Sequence, residues 1–238
     1  MSNKNKKFDL IFSLGGSCAS ASQLKYRNLR YCSLPFDYFF TNNEETFTKL
    51  IECFKDDFKQ FFLQKNLAEL TGAERGNDNS GCVQYKDIYT GYRAIHLFKK
   101  PAIDEKEYNR VKKVLNRRIN RLYKLLFASK QVMILLDTNH NVNISILEEL
   151  IKLLKEKFCI EHIILNFVQF ESKISELECI GDINIYKLTR ERNFYDFAMT
   201  NYIWSFLDNI KVKKYNDIQL NLFKFPILTL KKIKKGLA

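Results

Sequence analysis

The chain has 238 residues, of which 46% are hydrophobic and 14% aromatic, which is enough to bury a core and excludes an intrinsically disordered chain. With only 3 Pro and 8 Gly, no Pro- or Gly-rich linker divides it. The formal net charge of +12 suggests an anionic partner, but the excess is carried mainly by scattered Lys rather than clustered Arg, so nucleic acid is not the expected one.

Cys18, Cys32, Cys53, Cys82, Cys159 and Cys179 include no C-x-x-C pair, which argues against a zinc ribbon or a thioredoxin-like site. Neither a metal nor a cofactor is expected. Lys4, Lys6 and Lys7 precede a short apolar run, as in a lipoprotein signal. However, Asp9 interrupts that run, and Gly15 stands where the cleavage motif wants Leu. No apolar stretch reaches the roughly 20 residues of a membrane span. Reduced thiols in a soluble, cytoplasmic protein are the expectation.

Residues 1–7 read as a disordered N-terminus. Residues 8–14 form an apolar run that stops at Gly15-Gly16, the pattern of a buried strand. Ser17 is a good N-cap for a helix over 17–28. Residues 31–43 read as irregular, with Pro35 pushing Leu34 into an extended conformation. Phe47, Leu50, Ile51, Phe54, Phe58, Phe61 and Phe62 predict a helix over 44–63 with a broad aromatic face. Residues 72–81 read as a loop. Residues 83–89 and 92–98 flank Thr90-Gly91 as a hairpin, with Tyr92, Ala94, His96 and Phe98 sharing one face.

A helix follows over 107–126, then a buried strand over 131–136 ending at Asp137. Residues 144–158 form a further amphipathic helix. Strands are expected over 162–168 and 183–188, and an aromatic-rich helix over 194–209 around Trp204. Residues 223–238 make a basic, apolar tail. Buried strands alternating with amphipathic helices predict one α/β domain over 8–222, a three-layer sandwich with a mostly parallel sheet. Sites in such sheets lie at the carboxyl ends of strands, where Cys18 and Asp137 both fall.

The stretch from Ser13 through Gly15, Gly16 and Ser17 to Cys18 places a thiol at a helix N-terminus. There the helix dipole favours the thiolate, and backbone N–H groups can hold an oxyanion. The plain alternative is a small buried cysteine beside packing glycines. Of three histidines, His162 opens a strand and reads as structural, His140 follows the second strand, and His96 lies in the hairpin. Arg27, Arg30, Arg117, Arg118 and Arg121 line either an anionic substrate site or a solvated basic face.

The segment S13-L-G-G-S-C-A-S-A-S-Q-L24, followed by N28-L-R-Y-C-S-L-P-F-D-Y38, resembles the opening of a bacterial family classed as papain-like cysteine peptidases. Looser matches continue through D56-D-F-K-Q-F-F62, G91-Y-R-A-I-H-L-F98, N116-R-R-I-N-R121 and V132-M-I-L-L136, so the resemblance spans roughly residues 8 to 170. It implies Cys18 as nucleophile and His96 as base, with Asp37 matching the family's Pro-Phe-Asp aspartate. Leu97 stands where the family usually has an Asp after the histidine, which leaves Asp37, Asp137 and Asn139 to orient the imidazole.

A papain fold packs its cysteine helix on an antiparallel barrel, whereas this sequence reads as parallel α/β. The glycine turn also resembles the first block of the small-esterase fold, but no histidine follows His162. The resulting expectation is a cysteine-dependent hydrolase or acyl transferase acting on a peptide, ester or amide. Gly15, Gly16, Ser17 and Arg30 would line its oxyanion and substrate site. The alternative is a non-enzymatic binding protein with an anionic ligand, or with a membrane-surface partner reached through Lys231, Lys232, Lys234 and Lys235 at the inner face of the membrane.

Overall fold

The computed structural model describes residues 7–41, 43–72, 83–99, 103–138, 140, 142–171, 177–189 and 204–213. In chain order the elements are β1 (Lys7–Phe8), β2 (Leu10–Ser13), α1 (Cys18–Tyr26), β3 (Phe39–Phe40), α2 (Glu45–Lys55), β4 (Leu67–Glu69), β5 (Val83–Asp87) and β6 (Arg93–Phe98). They continue as α3 (Glu105–Phe127), β7 (Gln131–Thr138), α4 (Ile144–Phe158), β8 (His162–Glu171), β9 (Leu177–Ile180), β10 (Ile183–Thr189) and β11 (Lys211–Val212).

Helices and strands are mixed, as expected of an α/β chain. The central sheet runs β2-β7-β8-β10-β9. Leu10 pairs with Val132, Gln131 with His162, and Leu165 with Ile183, all in parallel register, and β9 closes the edge antiparallel to β10. The three strands read around 8–14, 131–136 and 162–168 therefore run parallel to one another. Period-two alternation sends the side chains of β7 to two separate cores. Val132, Ile134 and Leu136 pack with residues of α2, α3 and α4, while Met133 and Leu135 pack with Ala19 and Leu24 of α1 and with Trp204 and Leu207.

A mostly parallel sheet does not describe the whole chain. Between α1 and α3 a second sheet, ordered β3-β6-β5-β4, is antiparallel throughout. Its β5–β6 connection is too short for a crossover, so only antiparallel pairing is open to it. The β5–β6 hairpin is where the sequence placed it, but it carries a bulge. Val83 faces Phe98 and Tyr85 faces Ala94, so two extra residues of β6 lie between these pairs. His96 sits in that bulge and is exposed, while Tyr92, Ala94 and Phe98 are buried; the expected shared face is broken at the histidine.

The helix expected over 44–63 ends at Lys55. Asp57, Phe58 and Phe62 then take left-handed φ values of 60°, 61° and 52°, turning the chain back so that its rings reach the core. Residues 204–213 hold only a short 3-10 turn, Ser205–Leu207, and β11. The rest of the helix expected over 194–209, the loop from residue 73 to 81, residues 1–6 and the 223–238 tail lie outside the described residues. Among the described residues no helix is long and apolar enough to cross a membrane.

Phe36 lies at the hub of an aromatic cluster. Its ring centroid is 5.8 Å from Tyr92, 5.9 Å from Phe58, 6.2 Å from Phe61 and 6.3 Å from Phe54. The side chain is fully buried. Phe36→Ala is expected to lower the free energy of unfolding in urea by about 3–5 kcal/mol, the range for emptying a packed aromatic site.

Candidate functional site

The turn between β2 and α1 is bound from several sides. Leu14 N donates to Leu135 O at 2.9 Å, and Gly15 N donates to Ser13 Oγ at 3.0 Å. Tyr92 Oη donates to Leu14 O at 2.7 Å. Gly15 and Gly16 take φ values of +86° and +99°, which L side chains rarely adopt. Gly16 is constrained further, because a Cβ there would overlap the backbone carbonyl of Asp137. The first strand-to-helix turn is thereby pressed against the end of β7.

Ser17 caps α1 as the sequence indicated, with extended backbone and its Oγ accepting from Ala19 N at 3.1 Å. Its hydroxyl also donates to the Asp137 carboxylate, as does that of Ser20, and Ser20 N donates to Asp137 Oδ1 at 3.3 Å. Asp137 is completely buried. Burial outweighs these hydrogen bonds and raises its carboxyl pKa from 3.8 to about 6.

Cys18 opens α1 and is partly buried. Its thiol is pushed up to about 11, first by burial and then by the charge of Asp137, with its own backbone N–H opposing. The helix N-terminus alone was expected to favour the thiolate. Instead, burial of the thiol, reinforced by the Asp137 charge, tips the balance toward the neutral form.

A second group of side chains forms around residues 30–38. The Leu34–Asp37 turn, with Pro35 at its first corner, is closed by Leu34 N donating to Asp37 Oδ2 at 2.9 Å. Arg30 Nε lies 3.2 Å from the same oxygen. Burial raises the Asp37 pKa, opposed by the Arg30 charge, the Leu34 amide and the Arg118 charge. Tyr38 has a left-handed φ of 65°, and its hydroxyl accepts from Arg30 Nη1 at 3.0 Å. His96 meets the Tyr38 ring edge-on at 6.2 Å.

The predicted residues thus fall into two groups. Gly15, Gly16, Ser17 and Cys18 gather with Asp137, whereas Arg30 and Asp37 gather with Tyr38 and His96. No hydrogen bond joins Cys18 to His96 or His140. His140 is exposed at the carboxyl end of β7, its backbone N donating to Thr138 Oγ1 at 3.1 Å. The Asp37 and Asp137 carboxylates are engaged by Arg30 and by the two serines rather than by an imidazole. Asn139 lies outside the described residues. The groups adjoin, because a Cβ on Gly15 would come within 3.0 Å of Phe39 O and 3.3 Å of Phe36 O, and Gly16 bridges Phe40. Among the described residues no cluster of His, Cys, Asp and Glu is arranged to hold a metal.

Sequence reasoning missed Ser20 and the bracing role of Tyr92, and it named Arg121 only among the arginines of a possible anionic site, without its tie to Ser33. Ser20 stands three positions after the Ser17 cap, a spacing that puts both hydroxyls over the same helix end. The partners of Tyr92 and Arg121 carry no local signal, because Leu14 and Ser33 are distant in the chain.

A family model described as "Putative papain-like cysteine peptidase (DUF1796)" matches residues 9–170. The chain belongs to this family. The matched span includes β2, the glycine turn, Cys18, the 30–38 segment, His96 and Asp137, and ends within β8. Neither the search of curated proteins nor the search of solved structures finds a match. Cys18, within the matched span, follows the carboxyl end of β2, which pairs in parallel with β7.

Asp137 carries a pH prediction. Its folded pKa lies above its ordinary value, so its contribution to stability is full below about pH 4 and is lost as the pH rises through about 6. In urea unfolding, wild type should gain on Asp137→Asn by about 1 kcal/mol per pH unit as the pH falls from 6 to 4. A difference between the two proteins that does not change with pH would show that Asp137 is already ionised without penalty.

Proposed function

We propose that the protein is a cysteine-dependent hydrolase or acyl transferase with Cys18 as nucleophile, acting on a peptide, ester or amide carbonyl. The observation that carries this reading is the position of Cys18. It is the first residue of a helix at the carboxyl end of a parallel strand, within the span matched by a cysteine peptidase family.

Sγ would attack the carbonyl carbon as its proton passes to a base, and the leaving group would depart with that proton. Water or an acceptor would then cleave the thioester. The amides of Gly15, Ser17, Ala19 and Ser20 already have acceptors in Ser13, Asp137, Ser17 and Asp137. Of the Gly16 and Cys18 amides that remain, that of Cys18, which faces its own thiol, is the donor assigned to the developing oxyanion. Because the resting thiol is held protonated, proton removal has to accompany attack rather than precede it. His96 is assigned as the base, with Asp37 acting on it through Arg30 and Tyr38.

The test is mass-spectrometric detection of an acyl adduct with p-nitrophenyl acetate, alongside the rate of p-nitrophenol release. Cys18→Ser should lose the adduct, and His96→Ala should slow its formation by about 100-fold or more, the usual weight of a general base. His140→Ala should leave it unchanged. Release that is the same in wild type and Cys18→Ser would end this reading. It would favour instead a non-covalent binder of anions, a second reading supported by the arginines around Asp37.

A further inference from the structure

Two arginines hold the 32–38 segment. Arg30 spends its guanidinium on the protein: Nε faces Cys32 O at 3.4 Å and Asp37, Nη1 donates to Tyr38 Oη, and Nη2 donates to Ser33 Oγ at 2.6 Å. Its side chain is only 12% exposed. Arg121 reaches over from α3, donating through Nη1 to Ser33 O at 3.1 Å and to the Cys32 thiol.

Arg118 stands three residues before Arg121, on the same side of α3. It is half-buried, and among the described residues it makes no hydrogen bond. Its charge is within interaction range of Asp37, Arg30, Arg117 and Arg121. Burial, together with the three like charges, pulls its pKa below the ordinary arginine value, and Asp37 is the opposing influence. That carboxylate is already shared between Arg30 and the Leu34 amide. Arg30 and Arg118 thus face one occupied carboxylate, with Arg121 and exposed Arg117 as further like charges on Arg118. Like charges at this spacing repel, and partial burial of a guanidinium is costly unless its charge is compensated. A planar fork with its donors unused fits a second oxyanion in bidentate geometry.

We propose that Arg118 is the free arm of an anion-binding site, braced by Arg121 and Arg30, which takes a phosphate or carboxylate group of a ligand. Tyr38 and His96 stand next to it, joined to Arg30 by the Tyr38 hydroxyl and ring contacts. The 36–40 segment connects this group to the glycine turn that carries Cys18. Joined to the proposed function, on which this extension rests, the site would select substrates with an anionic group near the scissile carbonyl. Anion binding itself does not require Cys18.

The experiment titrates full-length wild type, Arg118→Gln, Arg118→Lys, Arg117→Gln and Cys18→Ser with inorganic phosphate and, separately, with succinate. Binding is followed by calorimetry and thermal shift against sodium chloride of equal ionic strength. Wild type and Cys18→Ser should bind one or both probes saturably, and Arg117→Gln should match them within about twofold. Arg118→Gln should lose about 10-fold or more in affinity, equivalent to about 1.4 kcal/mol. Arg118→Lys, which keeps the charge but not the fork, should lose several-fold and serves if Arg118→Gln does not fold. A preference for phosphate or for succinate identifies the ligand's anionic group. The site is overturned if neither probe binds wild type saturably, or if the foldable Arg118 variants bind as wild type does. Loss of turnover in Cys18→Ser with anion binding intact would separate the two claims.

Discussion

The structure depends on one close approach, that of Gly16 to the end of β7. The backbone of the first strand-to-helix turn touches the Asp137 carbonyl, and the Asp137 carboxylate receives the hydroxyls of Ser17 and Ser20. Only a residue without Cβ permits the contact. Only a short acceptor from the neighbouring strand can serve both serines at the helix end. The contact ties β2, α1 and β7 into one unit and sets Cys18 at the carboxyl edge of the sheet. The helix N-terminus in turn provides donors and a favourable dipole for a carboxylate that would otherwise be too costly to bury.

That arrangement bears directly on the chemistry of the cysteine. A helix N-terminus lowers a thiol pKa, but desolvation and an adjacent carboxylate raise it, and here the latter two prevail. The charge on Asp137 and the proton on Cys18 are therefore linked. Neutralising the carboxylate removes one of the two influences that hold the thiol protonated. The other influence is the burial of the thiol itself.

The antiparallel sheet inserted between α1 and α3 provides what the parallel sheet lacks. It supplies Tyr92 to brace the glycine turn, and it positions His96 on a bulge beside Tyr38. Just before β3, Phe36 and Asp37 join the packed aromatic core to the largely buried Arg30–Asp37 pair within two adjacent residues. The Pro-Phe-Asp motif thus has a structural role at each position. The proline shapes the turn, the phenylalanine fills the core, and the aspartate closes the turn and anchors Arg30.

Local patterns in the sequence determined a good deal. The apolar runs located β2, β7 and β8, and helical spacing located α3 and α4. Ser17 marked the start of α1, and the Gly15-Gly16 pair marked a turn that needs positive φ. These features are legible because strand alternation, helix periodicity and capping act over a few residues. Tertiary structure decided the rest. The end of α2 depends on where Phe58, Phe61 and Phe62 must pack, and the exposure of His96 depends on a bulge in pairing with β5. The state of Cys18 depends on its burial and on a carboxylate 119 positions away (137 − 18) that the parallel β2–β7 pairing brings beside it. The partners of Arg30, Arg118 and Arg121 likewise meet only when α3 folds over the 30–38 segment, because charge and desolvation are set by neighbours in space rather than along the chain.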